Sequence, residues 1–127
     1  MTAKSETAIT NAIIDWIKEQ GGDGFHIHGS MYQRSGEPDI DGWIPTSNGV
    51  QHLKLEVKTP TGKPSKLQLV RLDRYVKACY TAGIVTNIDE CKHLVYEFSV
   101  YGNNKQSWER TKSCYVKSPA TGKRRTK

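Results

Sequence analysis

The sequence predicts an α/β fold: a mixed sheet flanked by helices, in the order α-β-β-β-α-β. Three observations carry this. Asn48-Gly49 stands between two strand-like segments and is a strong hairpin signal, because both residues tolerate the positive φ of a type I′ turn. Two segments, about 5–20 and from Ser65 onward, space their apolar residues as helices do. A short apolar run, Ile84 to Ile88, follows the second helix as the buried strand of a β-α-β unit would.

The elements follow in order. Ala8, Ile9, Ala12, Ile13, Trp16 and Ile17 recur at helical spacing, and Gly21-Gly22 ends that helix. Phe25 and Ile27 alternate with His26 and His28 as a short strand, with a solvated strand face the better reading of the two histidines than a metal pair. Residues 29–37 read as loop, then strands over 39–46 and 50–58 form the hairpin. Pro45 cannot donate to a ladder, which predicts a bulge near the turn. Thr59 to Pro64 is a turn. Ser65 with Gln68 makes a capping-box pattern, and Leu69, Leu72, Val76 and Cys79 form the buried stripe of a helix ending at Gly83. Asp89 caps a short helix through Phe98. Ser107 to Val116 is read as further strands, and the last ten residues as disordered.

The 127 residues make one domain with a modest core. The division expected is a domain over 1–102 and a basic extension over 103–127. No apolar run reaches membrane-spanning length and no signal-peptide pattern is present, so no membrane partner is expected. Cys79, Cys91 and Cys114 form no C-x-x-C pair, which argues against a disulfide framework or zinc ribbon and for a reducing, cytoplasmic location. From Asn103 onward eight Lys/Arg face one acid, Glu109, a net +7 against +6 for the whole protein. The positive balance therefore lies in the C-terminal segment, either as a solubilising tail or as a polyanion-binding one.

The hairpin makes a geometric prediction. With Asn48-Gly49 as the loop, Glu56 faces Asp41 and Lys58 faces Asp39. Directly opposed residues share a face, and side chains alternate along a strand. Asp39, Asp41, Glu56 and Lys58 then lie on one face, with Ile40, Ile44, Leu53, Leu55 and Val57 on the other. Two readings follow: a half-exposed hairpin with solvated charges, or acids gathered around a cation. Two carboxylates and a lysine at this spacing suit metal-dependent phosphodiester cleavage. Hard oxygen ligands fit Mg²⁺ or Mn²⁺, and an ammonium beside the metal stabilises charge on phosphate. Asp41 fits a solvated or structural acid better than a second ligand. Trp43 and Tyr32 are read as packing residues by default.

Gly36-Glu37-Pro38-Asp39, Glu56-Val57-Lys58, Gly62-Lys63, Ser65 and Gln68 together resemble the VRR-NUC (virus-type replication-repair nuclease) branch of the PD-(D/E)XK nuclease superfamily. The similarity runs from the first helix to about Ile88. It implies the restriction-endonuclease-like core, with Asp39, Glu56 and the Val57 carbonyl as ligands of Mg²⁺ or Mn²⁺. It implies a catalytic Lys58 acting on water or phosphate, and a Gln68 near the site. Gln68 is equally a helix cap. Glu6 matches an acid that reaches the same site in the family, though it also suits the first turn of a helix by charge alone. Lys63 and Lys66 beside the site, and Lys123, Arg124 and Arg125 in the tail, are the candidate DNA contacts. Arg71, Arg74 and Lys77 are read as solubilising.

The resemblance thus implies a Mg²⁺-dependent DNA endonuclease for branched DNA such as Holliday junctions, flaps or nicked forks. It further implies a phage or prophage origin, with the protein working in the bacterial cytoplasm, and a homodimer is expected because a one-domain nuclease that cuts two strands works as a symmetric pair. The rivals are a sequence-reading restriction-type nuclease and a non-catalytic DNA-binding protein.

Overall fold

The computed structural model describes residues 5–27 and 35–116. His28, Tyr32 and the tail residues Lys123, Arg124 and Arg125, with the disorder expected of the last ten residues, lie outside them. The element order is α1 (Glu6–Glu19), β1 (Asp23–His26), β2 (Ile40–Thr46), β3 (Gly49–Val57), α2 (Lys66–Lys77), β4 (Thr81–Val85), α3 (Ile88–Tyr101) and α4 (Lys105–Val116). The first six elements match the expected α-β-β-β-α-β order. No helix of the described residues is long and apolar enough to cross a membrane.

The four strands lie in the order β1-β2-β3-β4. β1, β2 and β3 pair antiparallel and β4 runs parallel to β3. Two cores cover the two faces, as a layered α/β arrangement requires. On one, Ile9, Ile13 and Ile17 of α1 and Cys91 and Leu94 of α3 pack on Ile40, Ile44, Leu53, Leu55 and Val57. This is the aliphatic face expected of the hairpin. On the other, Leu69, Leu72 and Val76 of α2 and Trp108 of α4 pack on Ala82 and Ile84. The carboxylate face is thus part reaction surface and part second core.

α1 begins at Ser5, whose hydroxyl accepts from the Ala8 N–H at 3.1 Å. The chain reverses through Gly21, with φ +89°, and Gly22, where a Cβ would fall 1.9 Å from the Trp43 carbonyl oxygen. Only glycine lets β1 approach β2 there.

The hairpin register differs from expectation by two. Asp41 pairs with Lys54 and Thr46 with Gly49, so the loop is Ser47-Asn48. The Asn48 N–H donates to Thr46 Oγ1 at 3.2 Å. Cys79 is the sole non-glycine with positive φ among the described residues, so Asn48 forms no type I′ turn. The observed register sets Asp41 against Lys54, with a 3.0 Å ion pair, where the expected one opposed Asp41 to Glu56. Opposite charges across a strand pair are favoured over like ones. A shift of two preserves the faces, since side chains alternate with period two. Pro45 sits in regular register with Val50 and no bulge forms beside it. β1 reaches only to Trp43, so Pro45 occupies an edge position that proline tolerates.

Four further expectations are corrected. α2 ends at Lys77 with Ala78 as its C-cap, and Cys79 is exposed with φ +68° instead of buried in the stripe. β4 therefore starts at Thr81, and Gly83 lies inside it, facing Leu94. α3 is capped by Asn87, whose side chain accepts from the Glu90 N–H at 2.8 Å, and runs to Tyr101 before Gly102. Residues 105–116 form a helix, not strands.

Tertiary contacts explain that helix. Trp108 is 1 % exposed, and its indole N–H donates to Asp73 Oδ1 at 3.0 Å. The buried Glu97 carboxylate accepts from the Ser107 N–H and hydroxyl, satisfying a first-turn donor of α4. Asn104 is fully buried. Its amide accepts from the Ala82 N–H at 3.2 Å and donates to the Ala82 carbonyl at 2.7 Å. One side chain thus pairs with the edge of β4 as a neighbouring strand would. Residues 105–116 belong to the packed core.

Candidate active site

Three elements bring the site together. β2 begins immediately after Asp39, β3 carries Glu56 at its carboxyl end, and Gln68 stands in the first turn of α2. Continuing the β2–β3 register by one residue sets Asp39 against Glu56. Asp39 Oδ2 accepts from the Val57 N–H at 3.3 Å. Lys58, just past β3, is fixed by its own N–H donating to the Val85 carbonyl at 3.1 Å.

Glu56 is the centre of the arrangement and is only 2 % exposed. Its Oε2 accepts from Gln68 Nε2 at 2.9 Å and lies 3.4 Å from Lys58 Nζ. Its Oε1 is buried without a hydrogen-bond partner. Burial, and then the nearby Asp39 carboxylate, push the Glu56 carboxyl up to about 7, with Lys58 pulling the other way. A buried acceptor without a donor carries a desolvation cost. A cation held by Glu56 and Asp39 would offset both the unpartnered atom and the like-charge repulsion. The two carboxylates offer hard oxygen donors, the kind that Mg²⁺ or Mn²⁺ takes.

Gln68 closes the helix cap and also touches Glu56. Its Oε1 accepts from the Ser65 N–H at 2.8 Å while Ser65 Oγ accepts from the Gln68 N–H at 3.1 Å. With its oxygen committed to the cap, the amide NH₂ is the end that faces Glu56. Lys63 and Lys66 are exposed on the turn before α2 and at its first residue. Glu6 is exposed in the first turn of α1, and no group of three His, Cys, Asp or Glu side chains converges among the described residues. Asp41 is engaged by Lys54.

Sequence reasoning missed the residues that hold Asp39 in place. Glu37, two residues earlier, accepts from the Tyr75 hydroxyl at 2.5 Å and lies 3.5 Å from Arg71 Nε. Arg71 also donates to the Ser35 carbonyl at 3.0 Å, so it is a tether and not merely a solubilising residue. These partners are more than 30 residues apart in the chain, and no local pattern signals them.

A mixed four-stranded sheet between helix layers, with an aspartate before one strand and Glu-x-Lys at the end of the next, defines a restriction-endonuclease-like α/β fold. Among solved structures, one titled "VRR_NUC domain" superposes with a TM-score of 0.61 at 23% identity, covering 76% of this chain and 99% of that one. Another, titled "VRR_NUC domain protein", gives a TM-score of 0.56 at 16% identity, covering 77% and 90%. The chain has the VRR_NUC fold. No protein-family model and no curated protein sequence matches it.

Proposed function

We propose that this protein is a divalent-metal-dependent DNA endonuclease that hydrolyses phosphodiester bonds in branched DNA. The observation that carries the reading is the orphaned, buried Glu56 Oε1 beside Asp39 and Lys58. Structural ion pairs rarely leave a buried carboxylate oxygen unpartnered.

In this reading Asp39, Glu56 and the Val57 carbonyl hold Mg²⁺ or Mn²⁺, and Glu6 is left out. A divalent ion held there would supply Lewis acidity toward water and the phosphoryl oxygen. Gln68 fixes the Glu56 carboxylate by donating to Oε2, and Oε1 stays without a protein partner. The Lys58 ammonium donates toward the phosphate oxygens, where negative charge grows during attack. Lys63 and Lys66 contact the strand beside the cut, and Lys123, Arg124 and Arg125 add salt-sensitive affinity. Preference for junctions, flaps or nicked forks and a phage or prophage role follow from the resemblance to VRR-NUC nucleases, and a homodimer would present two sites to two strands.

The test is a cleavage panel of four-way junctions, flaps and linear duplexes with metal omitted, with Mg²⁺ and with Mn²⁺. Metal-dependent cutting of branched substrates, lost in Asp39→Ala and Lys58→Ala with DNA binding retained, is expected. Sequence-dependent cutting of linear duplex would mark a restriction-type enzyme. Binding without cutting of any substrate would make the protein a non-catalytic DNA binder.

A further inference from the structure

A cavity of about 490 Å³ opens between the end of β4, the start of α3 and the outer turns of α4. That volume lies within the range of small-molecule sites, roughly 300–1,000 Å³. Ile84 and Leu94 supply apolar surface, and Glu90, Arg110, Thr111 and Tyr115 supply polar groups around it.

Its position ties it to the site. Ile84 is the register partner of Glu56 on the adjoining parallel strand. Neighbouring strands lie about 4.8 Å apart, and partners in register share a face. Tyr115, on the far wall, is close enough to both Lys58 and Glu90 to feel their charges. The cavity also lies at the carboxyl ends of the parallel strands, where open α/β sheets receive ligands.

We propose that this cavity receives one unstacked nucleotide of the substrate strand, next to the bond cut at Asp39, Glu56 and Lys58. The inference rests on the nuclease reading and specifies what that site takes up. The apolar surface of Ile84 and Leu94 suits the faces of a base. Arg110 is exposed at the rim and can pair with a backbone phosphate. Glu90 uses Oε1 for the Thr86 N–H and hydroxyl, which leaves its other oxygen to accept from a base amine. A base inside a duplex is held between its stacked neighbours, so only one that has left its stack can enter the cavity. Extruding a base costs least where it is already unpaired, so the cavity selects DNA with an unpaired nucleotide at the cut.

The test uses the full-length protein, flap DNA and Ca²⁺ in place of Mg²⁺ to prevent cutting. 2-Aminopurine is placed singly at successive positions around the branch. Its emission should rise by roughly threefold or more at one position, as expected when a base leaves its stack. Thr111→Trp, which fills the cavity, should abolish the rise while DNA is still bound. If Thr111→Trp does not fold, Arg110→Ala, at an exposed position, should reduce the rise instead. No rise at any position in the wild type, or an equal rise in a folded Thr111→Trp or Arg110→Ala protein, would overturn the proposal. The readout does not depend on cleavage. A protein that extrudes the base but never cuts with Mg²⁺ or Mn²⁺ would sink the nuclease reading and leave the cavity assignment standing.

Discussion

Gln68 Nε2 donates to Glu56 Oε2 at 2.9 Å while the same amide's oxygen closes the cap of α2 on Ser65. A helix terminus and a buried carboxylate are thereby held by one side chain. The cap fixes which end of the amide meets Glu56, and that contact decides which Glu56 oxygen stays open.

Gln68→Glu separates the two roles. Glutamate also serves at this position of a capping box, so the helix start survives. The donor to Glu56 is replaced by a like charge. Cleavage with Mg²⁺ should fall by at least about tenfold, in line with general losses from misplaced positioning groups. The thermal midpoint should drop more at pH 8 than at pH 5. Gln68→Ala should lose about 1 kcal/mol from the cap at either pH. Equal cleavage by wild type and Gln68→Glu would show that the contact has no part in the reaction.

Glu56 gives the metal-free protein a pH dependence of definite sign. Its carboxyl is raised from 4.5 to about 7 in the folded chain. Between those values the folded state holds a proton that the unfolded state has released. Stability therefore falls as pH rises from 4.5 to 7, and the cost is fully present above 7. It is about 3 kcal/mol. Glu56→Gln should be more stable than wild type at pH 8 and nearly equal to it near pH 4.5, by urea denaturation without metal. A difference independent of pH would place the Glu56 carboxyl in its ordinary range.

α4 is part of the core, so truncation after Gly102 should unfold the protein. Trp108→Ala should cost about 3–5 kcal/mol, the usual loss for a buried aromatic. Truncation after Val116 should leave the thermal midpoint within a few degrees of wild type and flatten the salt dependence of DNA binding. A folded, cooperative protein ending at Gly102 would contradict the packing of Trp108 and Asn104.

Tyr75→Phe removes the hydroxyl that donates to Glu37 and keeps the ring against Tyr80, whose centroid lies 5.0 Å away. Stability should change by about 1 kcal/mol. Metal affinity should fall several-fold, because the chain entering Asp39 loses a tether. Unchanged affinity would make Glu37 and Tyr75 purely structural.

Much of this arrangement was legible in the sequence because it depends on short-range pattern. The helical stripe Ile9, Ile13, Ile17, the Ser65–Gln68 cap and the alternation along 50–57 each carry their own signal. The opposed faces of the hairpin survived a register error because the error was even. What could not be read is long-range. The Asp41–Lys54 pair set the register against the pull of Asn48-Gly49. Cys79 reversed the chain in a conformation usually left to glycine. Glu97, Asp73 and Asn104 turned a segment of mixed pattern into α4. The tether from Glu37 to Arg71 and Tyr75 depends on contacts across more than 30 residues. The orphaned Glu56 Oε1 is a property of packing alone.

The central claim is that Asp39 and Glu56 share one divalent cation. Isothermal titration of Mn²⁺ into the metal-free protein at pH 7.5, with Asp39→Asn and Glu56→Gln alongside, tests it most directly. The account predicts one ion per chain in the wild type, bound with release of a fraction of a proton from Glu56, and no binding in either variant. Wild-type protein that takes up no Mn²⁺, or variants that bind it as the wild type does, would contradict it.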